Sequence, residues 1–533
     1  MSRRSRRGVV GVVGVLVRWV AAVLAFVIVA PAPTLAAVPS TTLVLRKPVT
    51  ITATDGTRLA AYLWTPAGSG YPLLVMPAAW AEDRNAFDSI APNFLASGYS
   101  VLAYAQRGFG TSTGSVDLAG PATRDDVSTV ISWALANTAA NPNKVGVLGR
   151  SYGAGVALLA AAADRRIRAV AALGAWADLA GAMDTNNTLK RSTLLTLLNA
   201  APRVTAEVAA LKASVTANST ASAATQLTAM SPTRSPRMVV SGLNANAPAI
   251  MIVNGMQDSF FPSDQVGSLY ASLTTPKRLM LVPGDHVAPW ARPPLLPSGS
   301  WPDVSAWLDS YLRGATPTAA ASLSVAITDG MTGTEHDYTS WAASELAPTT
   351  LRLGAPGTSA GVLGTSSSSS WTKTIVGGYA TIADAGLTQT SMVFDYRPPH
   401  ATMSSIATNH AWVWSAANVT GNELVRGTPT LHLTLTPRSS DTSVFAYLYD
   451  VDTTGVGTLI SMQPYSLVSA RINVAAPITF SLAPVSWTLA AGHHLGLAVD
   501  TVDRRYAGFS TAGVSLDASS PAADPSWLSV TTG

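Results

Sequence analysis

Three residues of this chain have the types and the order that nucleophilic acyl transfer requires: Ser151, Asp258 and His286. Ser151 is the centre of Gly149-Arg150-Ser151-Tyr152-Gly153, preceded by KVGVL and followed by the Ala-rich VALLAAAA. An apolar β-branched run, a glycine-flanked serine and a helix-forming stretch predict strand, sharp turn and helix, with the serine at the apex. The glycines have a steric reason, because a Cβ at either position would meet the neighbouring strand or helix. The serine hydroxyl then points into a cleft. The amide of Tyr152, at the start of the helix, can donate to a developing oxyanion.

A serine hydroxyl is a weak nucleophile until a base, usually a histidine oriented by a carboxylate, takes its proton. The chain has seven histidines, and only His286 precedes residue 320. His336, His400, His410, His432, His493 and His494 all fall in the C-terminal part. His286 stands in VPGDHVAPW, a loop after a predicted strand, where such a base belongs. Asp258, in NGMQDSFFP, follows the predicted strand 248–254 and is the expected acid. Asp264 is its rival, although its place after Pro262-Ser263 also fits a helix cap. Asp285 adjoins His286 and cannot easily reach its own neighbour's ring nitrogen. The order Ser151, Asp258, His286 is the nucleophile-acid-base order of α/β-hydrolases.

These loops need a scaffold that delivers them to one edge, and the sequence has the rhythm for it. Hairpin 48–54/58–65 across Asp55-Gly56 is followed by strand 72–77, helix 85–97, strand 99–105 and helix 123–138. Strands 144–149 and 167–174 flank the serine turn and its helix. Such alternation predicts an α/β class chain, a mostly parallel, doubly wound sheet with helices on both faces. Residues 178–237 interrupt it with Ala-, Thr- and Leu-rich helical sequence, placed where a cap over the site would sit. Strands 248–254 and 278–282 and helix 303–313 complete a unit spanning 38–315. Beyond it, residues 320–533 carry short alternating runs such as LHLTLTP and HLGLAVDT, the pattern of an all-β antiparallel sandwich.

The N-terminus has the parts of an export signal over residues 1–37: four arginines at 3, 4, 6 and 7, an apolar stretch, and small residues at Ala36-Ala37. Arg18 leaves only the twelve residues Trp19–Ala30 uninterrupted, short of the ~20 a membrane span needs. A cleaved, secreted product is expected, by the general or the twin-arginine route, with no membrane attachment after cleavage. Losing the five arginines of this segment takes the formal charge from +4 to −1, so no nucleic-acid-binding surface is expected. The chain has no cysteine, which excludes disulfides, thiol catalysis and cysteine metal ligands. His493 and His494 are adjacent on a strand and point to opposite faces. No metal and no cofactor are expected.

The chain resembles the CocE/NonD hydrolases and X-Pro dipeptidyl-peptidases. The resemblance rests on Asp55-Gly56-Thr57-Arg58-Leu59, Gly98-Tyr99, Gln106-Arg107-Gly108-Phe109-Gly110-Thr111-Ser112, Asp126 with Trp133, and above all Gly149-Arg150-Ser151-Tyr152-Gly153. It implies a helical cap within 178–237 and a C-terminal jelly roll packed beside the catalytic unit, to which FDYRPP (394–399) and DTSVFAYLYDV (441–451) would belong. Family members often carry Pro-Tyr after the first core strand, the tyrosine hydroxyl helping to bind the oxyanion. This chain has Met76-Pro77-Ala78-Ala79-Trp80 instead. The second donor is then an amide of Ala78 or Ala79 or the indole N–H of Trp80, and Trp80 can equally be a pocket wall. The expected substrate is a small ester or peptide. The competing reading is a non-catalytic exported binding protein, whose Trp341, Trp371, Trp412 and Trp414 would form an exposed strip for carbohydrate.

Overall fold

The computed structural model describes residues 46–291, 300–316, 324–330, 333–366, 370–386 and 398–533. The expected signal segment and most of the FDYRPP stretch lie outside the described residues. Strands β1 (Lys47–Thr52) and β2 (Arg58–Trp64) form the hairpin across Asp55-Gly56, where the Thr57 amide donates to Asp55. β3 (Leu73–Pro77), α1 (Ala91–Ala96), β4 (Ser100–Tyr104), α2 (Pro121–Asn137), β5 (Val145–Arg150), α3 (Tyr152–Ala163) and β6 (Ile167–Leu173) then alternate. The helix expected over 85–97 is confined to α1. Pro92 lacks an N–H and suits only a first turn, so the chain before it runs as successive turns, with Ala86 donating to Asp83 and Ile90 to Phe87.

The interruption after β6 is helical, as its composition predicts. It contains α4 (Leu179–Met183), a small hairpin of β7 (Asp184–Thr185) and β8 (Thr188–Leu189), then α5 (Arg191–Ala200), α6 (Ala206–Thr216) and α7 (Thr220–Arg234). The chain returns to the sheet through α8 (Val240–Asn246), β9 (Ala249–Gly255), α9 (Ser263–Ser272), β10 (Lys277–Val282) and α10 (Trp301–Leu308).

The sheet runs β1-β2-β4-β3-β5-β6-β9-β10 and is parallel from β4 to β10. Its central strands are apolar throughout because both faces are covered. Val75, Val147 and Ile252 pack under α2, α3 and α9, while Leu74, Leu148 and Met251 pack toward α1 and α10. The strand order reverses around β3 and β5, so the carboxyl end of β5 opens on a crevice.

Two further strands, β11 (Val325–Thr328) and β12 (Glu335–Tyr338), extend this sheet beyond β10, although the sequence assigns everything after residue 320 to the sandwich. The reason is charge. Arg278 on β10 is fully buried, and Asp337 and Glu335 of β12 face it at 3.3 and 3.7 Å. A desolvated guanidinium needs these carboxylates, and a polar strand, Glu-His-Asp-Tyr, is what supplies them.

The rest of the C-terminal part is β-rich. Strands Thr430–Pro437, Ser515–Ser520 and Trp527–Thr531 lie in one half and Ala411–Ser415, Thr442–Val451 and His494–Asp500 in the other, with Leu433, Leu528, Trp414, Leu448 and Leu497 in a shared core. Trp371, Trp412 and Trp414 are buried in this unit, and Trp341 packs on Gly267 of α9, so no exposed tryptophan strip exists at these positions. The unit is sewn to the cap hairpin. Ser466 donates to Asn186, Ala507 to Leu189 and Ser192 to Arg505, while Thr188 and Ser466 share a hydroxyl contact of 2.7 Å.

A chain ending at Arg313 removes β11, β12 and both carboxylates facing Arg278, leaving the β10 edge open. We predict that this truncation is insoluble or aggregated by size-exclusion chromatography. Recovery of a monomeric, cooperatively melting fragment would contradict the role given to the two strands.

Candidate active site

Ser151 ends β5 and precedes α3 with φ 50° and ψ −118°, a backbone region that a side chain enters only under constraint. The constraint is close packing. A Cβ on Gly149 would overlap the Gly153 carbonyl, and a Cβ on Gly153 would overlap the Pro77 carbonyl at the end of β3. The helix therefore sits hard against two strand ends. The Ser151 amide donates to Leu173 on β6, which fixes the turn from the other side.

The structure brings Ser151, His286 and Asp258 together. Ser151 Oγ lies 2.8 Å from His286 Nε2, and His286 Nδ1 lies 2.9 Å from Asp258 Oδ2. The other Asp258 oxygen accepts from the amides of Phe260 and Phe261 at 2.9 and 2.8 Å. Those phenylalanines and Trp290 surround the imidazole, with ring centroids 4.8, 5.1 and 5.4 Å away. Histidine and aspartate are both buried, so their hydrogen bond is shielded from water. Asp264 stands in the first turn of α9 and makes no contact with His286.

Two residues that sequence reasoning left aside hold the acid and base loops. Asp285 cannot reach the His286 ring, but its Oδ1 accepts from the amides of Ser259 and His286 at 2.7 and 2.6 Å, tying the two loops together. Burial, helped by the charge of Asp258, pushes its carboxyl up to about 7. Lys190, in the cap segment, is buried. It donates to the carbonyls of Ser259 and Phe260 at 2.8 and 3.3 Å, and burial lowers its ammonium to about 8. No local motif signals either role, because the contacts join residues 26 and 69 apart in sequence.

The expected second oxyanion donors are otherwise engaged. The Ala78 amide continues the sheet by donating to Tyr104, and the Ala79 amide donates to Glu82, which also pairs with Arg150. The Trp80 indole N–H donates to the Leu197 carbonyl on α5 at 2.8 Å. Trp80 is thus a wall and a tie to the cap, its ring set edge-on to Tyr152 and Phe109. Tyr152 heads α3 directly after the serine, and its hydroxyl accepts from Ala119. Beside Ser151 lies an apolar pocket between these rings and the cap, bounded by Trp176, Met183, Leu194, Leu227 and Phe261. Among the described residues no three His, Asp or Glu side chains converge as a metal site requires.

Comparison with known proteins agrees with this architecture. A family model described as X-Pro dipeptidyl-peptidase (S15 family) matches residues 55–288. A second, described as the X-Pro dipeptidyl-peptidase C-terminal non-catalytic domain, matches residues 318–525. An aminopeptidase from a marine sediment Thaumarchaeota archaeon superposes with a TM-score of 0.74 at 16% identity, covering 94% of this chain and 99% of that one. An alpha-amino acid ester hydrolase gives 0.71 at 15% identity, with 95% and 100% covered. A CocE/NonD family hydrolase from Staphylococcus aureus gives 0.68 at 13%, with 91% and 93% covered. At these identities the likeness is one of fold. Among curated proteins, an uncharacterized 31.7 kDa protein of Escherichia coli is 30% identical over 135 residues, 24% of this chain and 46% of that protein. A polyketide transferase from Penicillium sp is 30% identical over 139 residues, 26% and 47% of the two chains. The chain thus spans about half the length of the curated relatives it matches.

The raised Asp285 carboxyl makes a prediction for stability. The folded chain keeps a proton that the unfolded chain releases near 3.8. The stabilising contribution of this group is complete below that value and is lost as pH rises toward 7. Asp285→Asn keeps an oxygen for the two amides and removes the titration. Thermal unfolding between pH 4 and 8 should then show a shallower decline in Tm across pH 4–7 than the parent chain. Equal slopes would mean that Asp285 carries no extra proton.

Proposed function

We propose, from the premise that this chain belongs to the X-Pro dipeptidyl-peptidase (S15) family and is a serine hydrolase, that it cleaves ester or peptide acyl bonds through an acyl-enzyme on Ser151. The observation that carries this reading is the unbroken line from Ser151 Oγ through the His286 ring to Asp258. In the first half-reaction His286 Nε2 takes the hydroxyl proton as Oγ attacks the acyl carbon. Asp258, holding Nδ1–H, keeps the tautomer that leaves Nε2 free and stabilises the imidazolium that forms. The Tyr152 amide at the N-terminus of α3 faces the developing oxyanion. His286 then returns its proton to the departing oxygen or nitrogen, and a water activated by the same nitrogen releases the acid.

The acid loop is built for that sequence of events. Two amides fix one Asp258 oxygen so that the other faces His286, and Lys190 and Asp285 keep the loop from drifting away from His286. The aromatic rings around His286 keep bulk water from competing for its nitrogens. The basic, apolar and small-residue segments of residues 1–37 support action outside the cell after export.

Ser151→Ala is expected to abolish turnover and labelling by a fluorophosphonate probe while Tm stays near the parent value. Asp258→Asn should lower kcat by roughly 10⁴, because the wrong imidazole tautomer is favoured. Asp264→Asn should stay within a fewfold of the parent. The reverse order of damage would move the acid to 264. For export, N-terminal sequencing of protein recovered from the medium should begin close to Ala37. A start at Met1 or Ser2 would refute cleavage.

A further inference from the structure

We infer that the pocket beside Ser151 receives an uncharged, apolar acyl group, so that the preferred substrates are esters of aliphatic or aryl carboxylic acids and not peptides with a free N-terminal amine. The inference rests on Ser151 being the acylated residue.

The first support is the lining. Trp80, Trp176, Met183, Leu197, Leu227 and Phe261 bound the space, and none of the lining residues is charged. The polar atoms nearby are turned away from it or already bonded. The indole N–H groups of Trp80 and Trp176 donate outward to the carbonyls of Leu197 and Arg234, and the Tyr152 hydroxyl accepts from Ala119. What faces the space is ring surface and aliphatic carbon. The space opens directly on Ser151, which is one of its walls.

The second support is where the cap's carboxylates lie. A protonated amine in so dry a site would need one or more of them. Asp178 accepts from Ser231 at 2.9 Å and faces Arg237 at 3.3 Å, anchoring α4 to the end of α7. Glu207 pairs with Arg234 at 2.5 Å. Asp184 belongs to the hairpin strand β7, paired through its backbone with Leu189. None of the three lines the pocket.

The third support assigns the pocket to the acyl side. His286 must face the leaving atom to protonate it, and the rings of Phe260 and Phe261, which line the pocket, pack against the imidazole at 4.8 and 5.1 Å, while Ser151 and Tyr152, next to the oxyanion position, open onto it. The leaving group therefore departs on the histidine side, and the acyl substituent occupies the apolar pocket.

The test uses the full-length chain as exported, with p-nitrophenyl acetate, butyrate, hexanoate and benzoate beside Ala-Pro and Gly-Pro p-nitroanilides. Each methylene buried should raise kcat/KM about threefold to fourfold until the pocket is filled. The p-nitrophenyl ester of alanine, which shares the leaving group but carries a free amine, should be at least about 100-fold poorer than the butyrate, a gap corresponding to an amine buried without a partner. Leu197→Trp, which keeps the backbone carbonyl that holds Trp80, should lower the hexanoate-to-acetate ratio about tenfold or more. If that variant does not fold, the ester series on the unaltered chain decides alone. A flat series, a rate that follows the alcohol and not the acid, or efficient cleavage of Ala-Pro p-nitroanilide overturns the inference. Failure of the underlying reading looks different: Ser151→Ala would still be labelled by fluorophosphonate and still turn over ester.

Discussion

The carboxyl end of β5 is where backbone meets backbone with no side chain between. Gly149, Gly153 and the Pro77 carbonyl lie so close that a single methyl group at either glycine has nowhere to go. This packing holds Ser151 at φ 50° and raises its hydroxyl out of the sheet toward His286. The same approach sets the start of α3, and with it the direction of the Tyr152 amide. The strain at the serine is sustained by the buried strands on either side, which have no room to relax.

Around that fixed point the acid and base are held by long-range ties. Asp258 and His286 come from different strand ends, and each lies in a loop with its own freedom. Asp285 links the loops through two amides, and Lys190 reaches in from the cap to bind the carbonyls of the acid loop. The cap is thus more than a cover over the pocket. The charges of the neighbouring acids oppose part of the penalty that burial places on the Lys190 ammonium.

Much of this was legible in the sequence, and the rest was not, for a physical reason. Ser151 announces itself because its turn needs glycines at fixed offsets, and His286 because no other histidine lies before residue 320. Apolar runs gave the central strands because both faces of the sheet are buried. Local signals failed where a distant partner decided the outcome. Everything after residue 320 reads as sandwich, yet Glu335–Tyr338 joins the edge of the other sheet, where its carboxylates face Arg278. Ala78, Ala79 and Trp80 offered plausible donors, but their N–H groups already donate to Tyr104, Glu82 and Leu197. Trp371, Trp412 and Trp414, which suggested a carbohydrate platform, are core residues, since an indole on a short strand looks the same in either setting until the opposite sheet is known, and Trp341 is half-buried against Gly267.

The hairpin between α4 and α5 is bonded to residues 464–466 and 507 of the C-terminal part, and the start of α5 to residue 505, through main-chain groups as well as side chains. A cap fastened at that point cannot swing as a free lid, so traffic to Ser151 has to pass through a mouth of nearly constant shape. It also constrains how the two halves could be exchanged. A relative's C-terminal part grafted onto this hydrolase would have to match the path of the hairpin strand by strand.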